Sequence, residues 1–134
     1  MPPNETSTRT RRVVTDFLDA LERGDGTALR ATLSRGPFSF EGPVDRFDDA
    51  AAFAEDIERY ALIITAIERR RLFVDGREAC VVLTFVTSLD NLPRTRAAVW
   101  VETDDAGLIR RIESFLDARA WMRMFGGGTP RALD

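Results

Sequence analysis

The 134-residue chain has no histidine and no lysine, so all 19 of its positive charges are arginine. Without histidine there is no Ser-His-Asp or Cys-His catalysis, no common zinc site and no usual proton shuttle near pH 7. Without lysine there is no Schiff-base chemistry and no P-loop lysine. What remains for acid–base work is a carboxylate with a shifted pKa, assisted by Tyr60 or an arginine. The single cysteine, Cys80, sits in the apolar run Ala79-Cys80-Val81-Val82-Leu83, which marks it as a small hydrophobe rather than a reactive thiol. No apolar run is long enough to span a bilayer, and the opening residues lack a signal-peptide core, so a cytoplasmic setting and no membrane partner are expected. A net charge of −3 argues against nucleic acid. No cofactor and no metal site are expected.

What is present describes one folded domain. Hydrophobic residues make up 44% of the chain and charged residues 31%, which is globular rather than disordered composition. The length suffices for a core that needs no staple. Residues 1–7 read as a disordered tail, the domain runs over 8–125, and the glycine-rich residues 126–134 read as a flexible tail. Val13, Val14, Phe17, Leu18 and Leu21 recur at helical spacing, which predicts a helix over 8–23 stopped at Gly24. Asp25 or Thr27 caps a short second helix carrying Leu29 and Leu33. Phe38 and Phe40 alternate as a short strand ending at Gly42-Pro43. Asp48 or Asp49 opens a third helix through Tyr60. Four strands follow over 63–74, 78–89, 94–103 and 108–117, the first pair joined at Asp75-Gly76.

Helices first and strands after them predict an α+β fold. A curved antiparallel or mixed sheet forms a cone-shaped barrel, with three N-terminal helices across its concave face. The cone encloses a pocket. The strand over 78–89 is apolar at nearly every position and so is covered on both faces. With no helix left for the second face, Cys80, Val82, Val86, Ala98 and Trp100 are expected at a homodimer interface. The run Arg69-Arg70-Arg71 fits an edge strand that uses charge to discourage pairing, with an anion patch as the other reading.

Helix–helix–strand–helix followed by four strands resembles the nuclear transport factor 2-like superfamily, particularly its SnoaL-like branch. The likeness rests on the first helix with its Gly24-Asp25 ending, on Phe40-Glu41-Gly42-Pro43, on Asp105-Ala106-Gly107-Leu108-Ile109 and on Glu113-Ser114-Phe115-Leu116-Asp117. It implies a cone-shaped pocket and often a dimer. It also implies which catalytic groups are missing. Steroid-isomerase-like members place a tyrosine, a base aspartate and a protonated aspartate where this chain has Phe17, Gly42 and Val99. Epoxide-hydrolase-like members place an arginine and an aspartate where it has Phe85 and Thr87, and a tyrosine and an asparagine where it has Phe40 and Gly42. Their final-strand aspartate matches Asp117. SnoaL-like cyclases pair a pocket aspartate with a histidine that this chain lacks.

Asp117 is therefore the candidate catalytic base, with strand end or helix cap as its alternative reading. Strict alternation places it on one face with Phe115, Glu113, Arg111 and Ile109. Phe17, Phe40, Tyr60, Phe85, Thr87, Val99, Glu113 and Phe115 are the candidate ligand-binding residues. Tyr60 has packing against the sheet as its other reading, and Glu113 a salt bridge to Arg96. The expected ligand is a small apolar or carbonyl-containing molecule. It is either simply held, or turned over by a cyclase- or isomerase-like reaction. A structural dimer module would instead show the pocket filled by aromatic side chains.

Overall fold

Helix α1, Pro3–Arg23, buries Val13, Val14, Phe17, Leu18 and Leu21 along one face. In this computed structural model, which describes residues 3–119 with 122 and 123, α1 begins at Pro3 rather than Thr8. The tail expected over residues 1–7 is thus helical from its third residue. Two side chains tie those first turns down. The Gly76 N–H donates to Ser7 Oγ at 2.9 Å, and Thr10 Oγ1 donates to the Gly76 carbonyl at 2.7 Å. The tail expected over 126–134 lies outside the described residues.

Gly24, at φ +70°, ends α1 in the left-handed region that glycine adopts without steric cost. Asp25 then caps α2, Gly26–Ala31, by accepting the Ala28 N–H at 3.0 Å. Asp49 caps α3, Ala50–Ala61, by accepting the Ala52 N–H at 2.9 Å.

The strands are β1 Ser39–Glu41, β2 Arg46–Phe47, β3 Ile64–Asp75, β4 Glu78–Thr87, β5 Arg94–Thr103 and β6 Ile109–Leu116. They form one sheet in the order β2-β1-β6-β5-β4-β3, with β1 parallel to β6 and the other pairs antiparallel. The two-residue β2 is too short to leave an alternation signal. It pairs with β1 through Phe40 and Phe47. Ala79, Val81 and Leu83 on β4 and Ala97, Val99 and Val101 on β5 point to the concave face and are buried.

β3 is an edge strand, as the arginine run suggested, and α1 covers part of its edge. Glu22 accepts the Ile67 N–H at 2.6 Å, and Arg69 donates to Asp19 at 2.7 Å. A register shift between Arg69 and Arg71 lets Arg69 reach α1 while Arg71 points to the convex face, its guanidinium 4.9 Å from the Phe73 ring centre.

A second register shift corrects the sequence reading of β6. Glu102 pairs with Arg111 and Thr103 with Ile109, so Arg110 is an extra residue between them. Ile109 and Ile112 both enter the core although an odd number of positions separates them. Beyond the shift, Ser114 and Leu116 line the cavity on the concave side. Glu113 and Phe115 stand on the convex face opposite Trp100 and Ala98.

Candidate functional site

Between α1, α3 and the concave face lies a cavity of about 120 Å³. Its deep walls are the buried side chains of Phe17, Leu18, Leu21, Phe53, Val99 and Ile112. Phe53 is the centre of an aromatic group. Its ring stacks on Phe40 at 4.8 Å between centres, and Phe38, Phe47 and Phe17 stand at 5.3, 6.2 and 6.4 Å. These rings narrow the cone without closing it.

The mouth carries the polar groups. Pro43 is exposed, and Asp45, Asp56 and Tyr60 are half-buried. The bend Gly42-Pro43-Val44-Asp45 is closed by the Gly42 N–H donating to the Asp45 carbonyl at 2.8 Å, which returns Asp45 to the cavity. A Cβ at Gly42 would stand 3.0 Å from Phe40 Cζ, so the bend lies directly on that ring. Asp56 and Tyr60 come from one face of α3 at helical spacing. Arg59 donates to Asp56 at 3.2 Å. Burial pushes the Asp45 carboxyl above its ordinary value; the charge of Asp56 adds to the rise and Arg59 opposes it. Burial, then Asp45 and Asp56, push the Tyr60 hydroxyl up to about 12, so it stays a proton donor at neutral pH.

Five of the residues singled out in the sequence line this cavity: Phe17, Phe40, Tyr60, Phe85 and Val99. Four do not. Thr87 is buried beyond it, donating to the Leu92 carbonyl at 2.7 Å and accepting the Leu89 N–H at 3.2 Å, so it staples the loop between β4 and β5. Glu113 faces away from the cavity and pairs with Arg111, not Arg96. Phe115 is 57% exposed on the convex face.

Asp117 is turned away from the cavity as well. Its side chain is 61% exposed and accepts from Arg119 Nη2 at 2.6 Å, from Arg119 Nε at 3.0 Å and from the Arg119 N–H at 3.1 Å. Those bonds hold its carboxyl down at about 2. A carboxylate so stabilised has little appetite for a proton, which removes the argument for a general base there.

Sequence reasoning missed Asp45 and Asp56. The signal for Asp56 was available, since it precedes Tyr60 by one helical turn. Asp45 was hidden because the base position was sought at Gly42, and the turn brings in a carboxylate three residues later. Among the described residues, no group of cysteine, aspartate and glutamate side chains comes together as a metal site. None of their helices is long and apolar enough to cross a membrane.

No protein-family model matches the chain, and comparison with curated proteins finds no match. Solved structures do resemble it. A nuclear transport factor 2-like protein of unknown function from Cytophaga hutchinsonii superposes with a TM-score of 0.70 at 20% identity, over 84% of this chain and 94% of that one. An LEH-like epoxide hydrolase from M. tuberculosis gives 0.74 at 21% identity, over 91% and 92%. A de novo designed protein with a curved β-sheet gives 0.74 at 19% identity, over 90% and 96%. Helices closing the concave side of a curved mixed sheet define the class, a cone-shaped α+β fold. The chain has the nuclear transport factor 2-like form of it.

Proposed function

We propose that the protein, of the SnoaL-like kind, holds one small, mostly apolar molecule about the size of a single ring, with its oxygen-bearing end at the mouth. The observation that carries this reading is the segregation of the cavity: hydrocarbon at depth, and Asp45, Asp56 and Tyr60 together at the rim. Size follows from volume. An apolar cavity of roughly 150 Å³ admits one benzene, and this one measures about 120 Å³. Polarity follows from the rim. The Tyr60 hydroxyl remains a donor, and a carboxyl raised by burial donates to a carbonyl oxygen more readily than a surface aspartate does. A cytoplasmic setting fits the half-exposed free thiol of Cys80.

Thermal-shift titration with cyclohexanone, phenol and cyclohexane tests the reading. Cyclohexanone and phenol are expected to raise the melting temperature, more than cyclohexane does. Val99→Phe, which fills the cavity, is expected to abolish the shift while leaving the circular dichroism unchanged. No shift with any ring, or the same shift in Val99→Phe, would refute the proposal.

The raised Asp45 carboxyl favours a second reading, proton transfer at a carbon next to a carbonyl. It replaces the assignment of that role to Asp117. Deuterium exchange into cyclohexanone, followed by NMR, is expected to exceed the buffer rate and to fall to it in Asp45→Asn. Exchange no faster than buffer in the unsubstituted protein leaves the holding function alone.

A further inference from the structure

We propose that the groove between the start of β5 and the chain just after β6 binds a compact polyanion with two or more phosphate groups. This site is separate from the ring-lined cavity. β5 contributes Arg94, Thr95 and Arg96 to it, and the chain after β6 contributes Asp117, Arg119 and Arg123. The groove measures about 500 Å³, against about 120 Å³ for the cavity on the concave side. None of these residues belongs to the apolar set expected to meet a second copy.

The groove is rich in hydrogen-bond donors and poor in acceptors. Arginine carries five N–H donors in a planar fork and no acceptor. Arg94 spends two of its five on Glu68, through Nη1 and Nη2, and Arg119 spends two on Asp117, through Nε and Nη2. Each keeps three. Arg96 makes no ion pair among the described residues, because Glu113, the acid expected to take it, is held by Arg111. The Asp117 carboxyl reports the local field. Hydrogen bonds from Arg119 hold it at about 2, and the charge of Arg123 adds to them. Four guanidiniums thus face two carboxylates, in a chain whose net charge is −3.

That chemistry selects the occupant. A ligand that fills the groove must bring acceptor oxygens and negative charge close together. A phosphate group offers three strong acceptor oxygens and up to two charges, where a carboxylate offers two oxygens and one charge. Arg94 and Arg96 stand on one face of β5, about 6.8 Å apart along the strand, so a ligand with adjacent phosphates meets both forks. The extent of the positive zone limits the length of the ligand. The next charged row across β4 and β5 is Glu78 and Glu102, about 20 Å further along the face. A nucleic acid or other extended polyanion would lie across those carboxylates, whereas a compact one stays among the arginines.

Isothermal titration calorimetry of the full chain with sodium pyrophosphate tests the site. At about 50 mM salt, pyrophosphate is expected to bind at least about tenfold more tightly than acetate, and to weaken about tenfold by about 500 mM salt. Arg96→Gln and Arg123→Gln are each expected to weaken it about tenfold, since each removes charge-assisted hydrogen bonds. Arg35→Gln, which changes an exposed arginine outside the groove, is expected to leave it unchanged. Asp117→Asn is expected to tighten it about threefold, because a negative charge leaves the groove and Arg119 is freed. ADP separates the sources of such a ligand. Binding no tighter than pyrophosphate identifies the free oligophosphate, tighter binding identifies a nucleotide, and either result keeps the site. Pyrophosphate no tighter than acetate, Arg96→Gln no weaker than Arg35→Gln, or weaker binding in Asp117→Asn would each overturn the proposal. If a groove variant fails to fold by circular dichroism, pyrophosphate against acetate on the unsubstituted protein decides.

Discussion

The concave and convex faces are made by the same four long strands, yet alternate residues meet opposite surroundings. Val81, Leu83, Val99 and Val101 point inward and are buried beneath helices. Their neighbours Cys80, Val82, Ala98 and Trp100 point outward and are only half-buried. The inner face is largely apolar, and at the cavity rim burial raises a carboxyl and a phenol. The outer face keeps its arginines and acids in water, where ion pairing lowers Asp117 and Glu68. Direction of pKa shift thus tells the faces apart. Burial dominates inside, and pairing dominates outside.

The largest effect that separates the faces is expected from aromatic truncation. Phe53→Ala removes the ring on which Phe38, Phe40 and Phe47 converge and should cost about 3–5 kcal/mol in denaturant unfolding. Phe115→Ala, measured at a concentration too low for association, should cost less than about 1 kcal/mol. Equal costs would mean that the convex ring is packed within a single chain, and the contrast would fail.

A smaller effect tests the rim. Because burial raises the Asp45 carboxyl, its folded state holds a proton that the unfolded chain has released. The favourable contribution is complete below the ordinary value and is lost as pH rises through the raised one. Asp45→Asn should therefore raise the melting temperature by about 2 °C at pH 7 and by nothing near pH 3. A gain that grows on acidification would contradict the burial of this group.

The smallest expected effect concerns Asp117. Asp117→Asn should leave ring-ligand affinity within about twofold at pH 7, since its partner Arg119 is an exposed neighbour and the cavity lies on the other face. A tenfold loss would bring Asp117 back into the site.

Periodicity made the frame readable in advance. Apolar spacing located α1, α2 and α3, while alternation at β1, an unbroken apolar run at β4 and the turns flanking β3 and β5 placed those strands to within a few residues. The caps Asp25 and Asp49 were among the candidates because N-capping is local chemistry. Local chemistry also failed in identifiable places. The phase of β6 depends on which residue faces Glu102, a cross-strand fact, and one extra residue at Arg110 moved Glu113 and Phe115 to the other side. The start of α1 depended on a hairpin more than sixty residues away. The role of Asp45 depended on a bend folding back over Phe40. Each miss required a partner distant in sequence or a turn whose direction its residues do not state.

The position of Asp45 also makes the molecule unusually legible to a spectrometer. Histidine normally crowds the titration record of a protein between pH 5 and 8, and this chain has none. Among the described residues, Asp45 is the one carboxyl that its surroundings drive upward. With ¹³C-labelled aspartate, its resonance should move at a higher pH than that of an ordinary aspartate. A molecule settling at the mouth could then be followed through that one signal, without a label on the molecule itself.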